Sequence, residues 1–86
     1  MILELRGEKM AYENIQIEEE YITLAQLLKL TTIISSGGMA KPFLAQNDVY
    51  LNGELEDRRG KKLYDGDEID IPEVDGHFKI YSMITE

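Results

Sequence analysis

The chain has 86 residues, no cysteine and a formal net charge of −8. That length holds one domain and no second core, and the absent thiols exclude disulfides, zinc ribbons and cysteine nucleophiles. The apolar runs fall short of the roughly 18–20 residues a membrane helix needs, the opening MILELRGEKM lacks a signal-peptide core, and the net charge argues against bulk binding to nucleic acid or anionic membrane; a reducing, cytoplasmic location is expected.

Residues 1–20 read as an N-terminal extension, a short strand or partly disordered, ahead of a single domain over residues 21–86. Ile2, Leu3 and Leu5 suit a short strand, and Ile15 and Ile17 alternate with Gln16 and Glu18. Met10 offers a second start that leaves residues 1–9 as a tail. The first sharp signal is Thr23 with Gln26 three residues on, a capping-box spacing, flanked by Ile22 and Leu27 at hydrophobic-staple spacing. Leu24, Leu27 and Leu28 then make one apolar face, so a helix is predicted over 24–31, fraying through Thr31, Thr32, Ile33 and Ile34. After the break at Ser35-Ser36-Gly37-Gly38, Ala40, Phe43 and Leu44 predict a second helix over 39–46, with Ser36 as N-cap and Asn47 as a left-handed C-cap. Pro42 requires that helix to start late or to distort its first turn.

The remainder reads as β. Val49-Tyr50-Leu51 alternates, Asn52-Gly53 is a strong hairpin signal, and Asp65-Gly66 and Asp75-Gly76 mark turns. Strands are predicted at 49–51, 69–71 and 78–84. The expected fold is α+β, two short helices packed on a small, mostly antiparallel sheet. Its expected core is Leu24, Leu27, Leu28, Phe43, Leu44, Val49, Leu51 and Ile69.

Charge is unevenly spread. Residues 1–28 carry 2 cations and 6 acids, a balance of −4; residues 29–62 carry 6 and 4, or +2; residues 63–86 carry 1 and 7, or −6. A basic middle third lies between acidic flanks, and a screening length near 8 Å at physiological salt leaves a local patch able to attract phosphate.

The run SGGMAKPFLAQNDVYLNG from Ser36 to Gly53 resembles the second helix and following strand of the S4 RNA-binding domain superfamily, the alpha-L motif. Gly66-Asp67-Glu68-Ile69 resembles its closing strand. The likeness is closer still to the small stand-alone S4-like proteins of the YaaA type, through Tyr21–Leu24, Gly37–Lys41 and Asn52–Leu63. The chain departs from the wider family at Thr23-Leu24-Ala25, where Arg-Leu-Asp is frequent, and at Gly37, where an arginine is frequent. The resemblance implies an α+β fold and recognition of structured RNA.

Arg58-Arg59-Gly60-Lys61-Lys62 sets four cations in five residues, with Gly60 expected to let them converge on one anion. Arginine suits bidentate phosphate contacts and lysine acts as a point charge. The bland alternative is a solvated loop neutralised by Glu54, Glu56 and Asp57. Lys41 and Lys29 extend the patch along the helices, Tyr50 is a candidate for base stacking, and Asn52 is a turn residue that is also a candidate contact. His77 reads as an ordinary surface residue, since no second histidine, cysteine or serine nucleophile accompanies it. Asp65, Asp67, Glu68 and Asp70 do not match a calcium-loop spacing, and Ser35–Gly38 lacks the Lys-Ser/Thr of a phosphate-binding loop. No catalytic constellation, cofactor or metal site is therefore expected.

The leading expectation is a non-enzymatic, monomeric RNA-binding protein whose target is ribosomal RNA or an assembling ribosomal particle. Ribosomal proteins or assembly factors are candidate partners, and no membrane is involved. The alternative is an acidic protein-interaction module with no direct RNA contact, supported by the net charge and the Asp65–Glu73 strand.

Overall fold

A computed structural model describes residues 12–84. The elements in chain order are β1 (Glu13–Ile17), β2 (Tyr21–Thr23), α1 (Leu24–Leu30), a 3-10 turn (Gly37–Met39), α2 (Ala40–Gln46), β3 (Tyr50–Leu51), β4 (Glu54–Leu55), β5 (Lys62–Tyr64), β6 (Glu68–Ile71), a 3-10 turn (Pro72–Val74) and β7 (Gly76–Ser82). Five strands form one sheet in the order β1-β7-β6-β3-β4, while β2 and β5 make a separate antiparallel ribbon. Among the described strands of the larger sheet only β1 and β7 run parallel. The α+β arrangement is the one expected, two helices packed on a small, mostly antiparallel sheet.

Period-two alternation decides which strand residues turn inward. Ile15 and Ile17 of β1, Ile69 and Ile71 of β6, and Phe78 and Ile80 of β7 are all buried. The sheet thus takes in Glu13–Ile17, upstream of residue 21, because the Ile15–Ile17 pair has an apolar neighbour in Ile80 only when β1 lies beside β7. The strand predicted at Ile2, Leu3 and Leu5 and the alternative start at Met10 lie outside the described residues.

Helix α1 opens with the predicted capping box. The Gln26 amide donates to Thr23 Oγ1 at 3.2 Å and the Thr23 amide donates to Gln26 Oε1 at 2.7 Å. Leu24, Leu27 and Leu28 are buried, with Ile22 beside them at the staple position. The β-branched run after Leu30 does not fray. Thr31 Oγ1 donates to the Leu27 carbonyl at 2.8 Å, Thr32 takes φ 60°, and the Ile34 amide donates to the Leu28 carbonyl at 3.2 Å. These bonds close the helix and carry Ile34 into the core.

Two local expectations around α2, the Ser36 and Asn47 caps, are corrected, while the late start that Pro42 requires is found. Ser36 heads the 3-10 turn rather than the helix and makes no side-chain cap. Helix α2 begins after Met39, which puts Pro42 in the first turn, where its missing N–H has no helical partner to lose. Asn47 is extended, at φ −131°, rather than left-handed. Its amide and its Nδ2 both donate to the Phe43 carbonyl, at 2.9 and 3.0 Å, so the helix end is satisfied without a left-handed residue. Phe43 and Leu51 are half-buried and pack against the core from outside, while Ala40, Val49 and Leu63 complete it.

The Asn52-Gly53 hairpin forms as predicted. Both residues have positive φ, 52° and 87°, the geometry of a type I′ turn, and Tyr50 pairs with Leu55.

Candidate nucleic-acid interface

The basic loop is fixed by the helix it approaches. The first amides of a helix lack internal partners. In α1 the Leu24 amide donates to the Lys61 carbonyl and the Ala25 amide to the Arg59 carbonyl, each at 2.9 Å. With Thr23 capping Gln26, the first three α1 amides are satisfied, two of them by the loop. A tight turn inside the loop, Lys61 amide to Arg58 carbonyl at 3.1 Å, keeps those carbonyls in place. Gly60 has open space where a Cβ would sit, and its φ lies outside the left-handed region. The turn therefore does not depend on glycine's conformational freedom, contrary to expectation.

With the backbone turned toward the helix, the side chains of Arg58, Arg59 and Lys62 stay exposed and Lys61 is half-buried. They do not converge on one point. Arg58 is drawn into a fork with Glu56, Nε to Oε2 at 2.8 Å and Nη2 to Oε1 at 3.1 Å. The Arg58 guanidinium holds the Glu56 carboxyl below the usual carboxylate range, mainly through these bonds. Lys62 Nζ sits 4.7 Å from the centre of the Tyr21 ring. Arg59 and Lys61 form no ion pair with the described residues, and neither Glu54 nor Asp57 forms one with a loop cation, although Asp57 attracts Arg58 through space.

Arg58, Lys61 and Asn52 line one shallow depression, of about 310 Å³, with Glu54, Leu55 and Glu56. The Asn52 amide is already occupied. Its Nδ2 donates to Asp67 Oδ1 at 3.1 Å and its Oδ1 accepts from the Glu68 amide at 3.0 Å, tying the hairpin to β6. Lys29 is exposed on the last turn of α1, roughly 6 Å along the axis from the loop's attachment. Lys41 is exposed on the first turn of α2. Tyr50 is half-buried; its register row runs to Asp70 and His77 on one side and, on the other, to Leu55, which lines the depression with Arg58 and Lys61.

His77 is not an ordinary surface residue. Its ring is held with Nδ1 2.7 Å from Asp70 Oδ1 and Nε2 3.5 Å from Asp75 Oδ1, and it packs edge-on against Tyr12. The hydrogen bond to Asp70 raises its pKa above the ordinary histidine value of 6.5. The Tyr12 hydroxyl donates to the other Asp70 oxygen at 3.1 Å. This cluster depends on the β6–β7 register, which no short-range pattern displays.

Two exposed aromatics beside the loop also escaped sequence reasoning. Tyr21 and Tyr64 are cross-strand partners in the β2–β5 ribbon, with ring centroids 5.6 Å apart. The signal lay in the short alternations Tyr21-Ile22-Thr23 and Lys62-Leu63-Tyr64, where the central apolar residue of each turns inward and sends its neighbours out.

A family model described as an S4 domain matches residues 15–80. The chain is also similar to the "Probable ribosome maturation protein RlbA" of Bacillus subtilis (strain 168). The two are 52% identical over 66 residues, which cover 77% of this chain and 92% of that protein.

Proposed function

Because the chain belongs to the S4 domain family, we propose that it is a non-enzymatic RNA-binding protein that recognises structured RNA by its shape and phosphates. Ribosomal RNA or an assembling ribosomal particle is the target this reading favours, in keeping with the ribosome maturation protein it resembles. The observation that carries it is the suspended loop: carbonyls of Arg59 and Lys61 bound to α1, with Arg58, Arg59 and Lys62 exposed and Lys61 half-buried. Such a loop presents charge without having to order itself on binding, so less of the phosphate attraction is lost to conformational entropy. Lys29 and Lys41 supply weaker flanking contacts.

The acidic-module alternative requires the loop to be neutralised from within. Only Arg58 is so engaged among the described residues, which favours the RNA reading.

The test is a salt-titrated binding assay on ribosomal RNA fragments with the Arg59→Glu/Lys61→Glu variant, paired with a thermal melt. Exposed loop charges change stability by only about 0.5 kcal/mol. Binding should weaken on every fragment, because phosphate contacts carry no sequence code. The log–log salt slope should become shallower by roughly 0.7–0.9 per lost contact. Binding equal to the parent at every salt concentration would exclude the loop as the RNA site.

A further inference from the structure

We infer that the outer face of the β2–β5 ribbon, formed by Tyr21, Tyr64 and Lys62, is a stacking site for an unpaired base of the bound RNA; this rests on the RNA-binding reading above. Alternation buries Ile22 and Leu63 and leaves Tyr21 and Tyr64 exposed at 36% and 43%. The rings are tilted by 52°, not stacked face to face, so neither covers the other. An aromatic pair kept in water in this way presents π surface to a flat ligand.

The neighbours say which ligand. Lys62 holds its ammonium over the Tyr21 ring. It is both the first residue of β5 and the last cation of the loop, and β2 ends on Thr23, the cap of the helix from which that loop hangs. A backbone followed by Arg59 and Lys61 therefore continues onto the ribbon. Glu18, Glu19 and Glu20, exposed just before β2, repel phosphate from the far side and hold the backbone on the loop side. Bases within a duplex keep their faces inside the stack, whereas looped or bulged bases offer them to aromatic side chains. The site consequently selects nucleotides outside the helix, which the phosphate contacts alone do not.

The experiment compares two labelled RNA probes, a hairpin with an unpaired adenosine loop and the blunt duplex of its stem. They are titrated with the parent, Tyr21→Ala/Tyr64→Ala, Tyr21→Phe/Tyr64→Phe and Arg59→Glu/Lys61→Glu. The alanine pair should lose roughly fivefold to a hundredfold in affinity for the looped probe and leave the duplex unchanged. The phenylalanine pair, which keeps the ring faces, should bind both probes like the parent. The charge variant should lose both. If a melt shows the alanine pair unfolded, Tyr64→Ala alone carries the test with the same expectation. An alanine variant that binds the looped probe like the parent overturns the inference while the charge variant's loss leaves the RNA reading standing. A parent that binds neither probe removes both.

Discussion

Charge does opposite work in two parts of this molecule. Around His77 the chain supplies charged and polar partners: Asp70 at one ring nitrogen, Asp75 at the other, Tyr12 on the second Asp70 oxygen. In the loop from Arg58 to Lys62 it is the backbone that is satisfied, by α1, and Arg59 and Lys61 have no ionic partner among the described residues. Both regions are charged residues beside a turn. Only the first has the opposite charge delivered in register by neighbouring strands. Charge there belongs to folding, and in the loop it is left for the RNA that we propose as ligand.

The widest test is to remove what the loop hangs from. Leu27 is wholly buried in α1. Leu27→Ala should cost about 2–5 kcal/mol, a large share of the stability of so small a domain. Denaturant unfolding gives the loss directly. RNA affinity per folded molecule should stay near that of the parent, because no loop cation is altered. A folded Leu27→Ala protein with strongly reduced affinity would mean that the loop's geometry depends on core packing beyond its two bonds to α1.

The next effect lies in the His77 cluster and has a definite sign. Bonding to Asp70 raises the folded-state pKa above the unfolded value near 6.5. The contribution is fully present below that value and is lost as pH rises through the folded pKa. Parent and His77→Gln should therefore differ by about 2–5 °C in Tm at mildly acidic pH, with the gap closing as the solution becomes alkaline. A gap independent of pH would show that the ring acts by packing against Tyr12 and not by charge.

These two regions also mark how far the sequence could be read. The capping box at Thr23 and Gln26, the Leu24-Leu27-Leu28 face and the Asn52-Gly53 turn are local devices whose partners lie within a few residues, and each formed as read. What stayed hidden depends on partners far along the chain. Ile15 and Ile17 gain meaning from β7, and His77 from a β6 residue seven positions away. The cations of the loop were visible as composition. That Arg58 would be taken by Glu56, and that the helix N-terminus would seize the loop's carbonyls, follows from a tertiary approach no spacing rule encodes. Asn47 failed for a related reason, since its side chain bonded the Phe43 carbonyl and removed the need for a left-handed cap.

The smallest predicted effect draws the line between the two regions most finely, because it lies inside the loop. Among the described residues, Glu56 is the one carboxylate that treats a loop cation as the His77 cluster treats its charges. Its side chain is only 10% exposed, against 69% for Arg58, so the acid is the fixed member of the pair and the guanidinium the adaptable one. The Arg58 bonds depress the Glu56 pKa, so mild acid does not release the pair and substitution is needed. Glu56→Gln keeps an acceptor for the Arg58 amide, which now donates to Oε2 at 3.0 Å, and removes the competing charge. Arg58 is then available to phosphate. RNA affinity should rise roughly twofold to fivefold, the scale of one exposed ion pair, with a salt slope steeper by about 0.7–0.9. Arg58→Gln should change affinity far less than Arg59→Gln, since its charge is already engaged. Equal losses from the two arginine variants would show that RNA breaks the Glu56 pair on binding, and the loop would then have to be counted as four phosphate ligands instead of three.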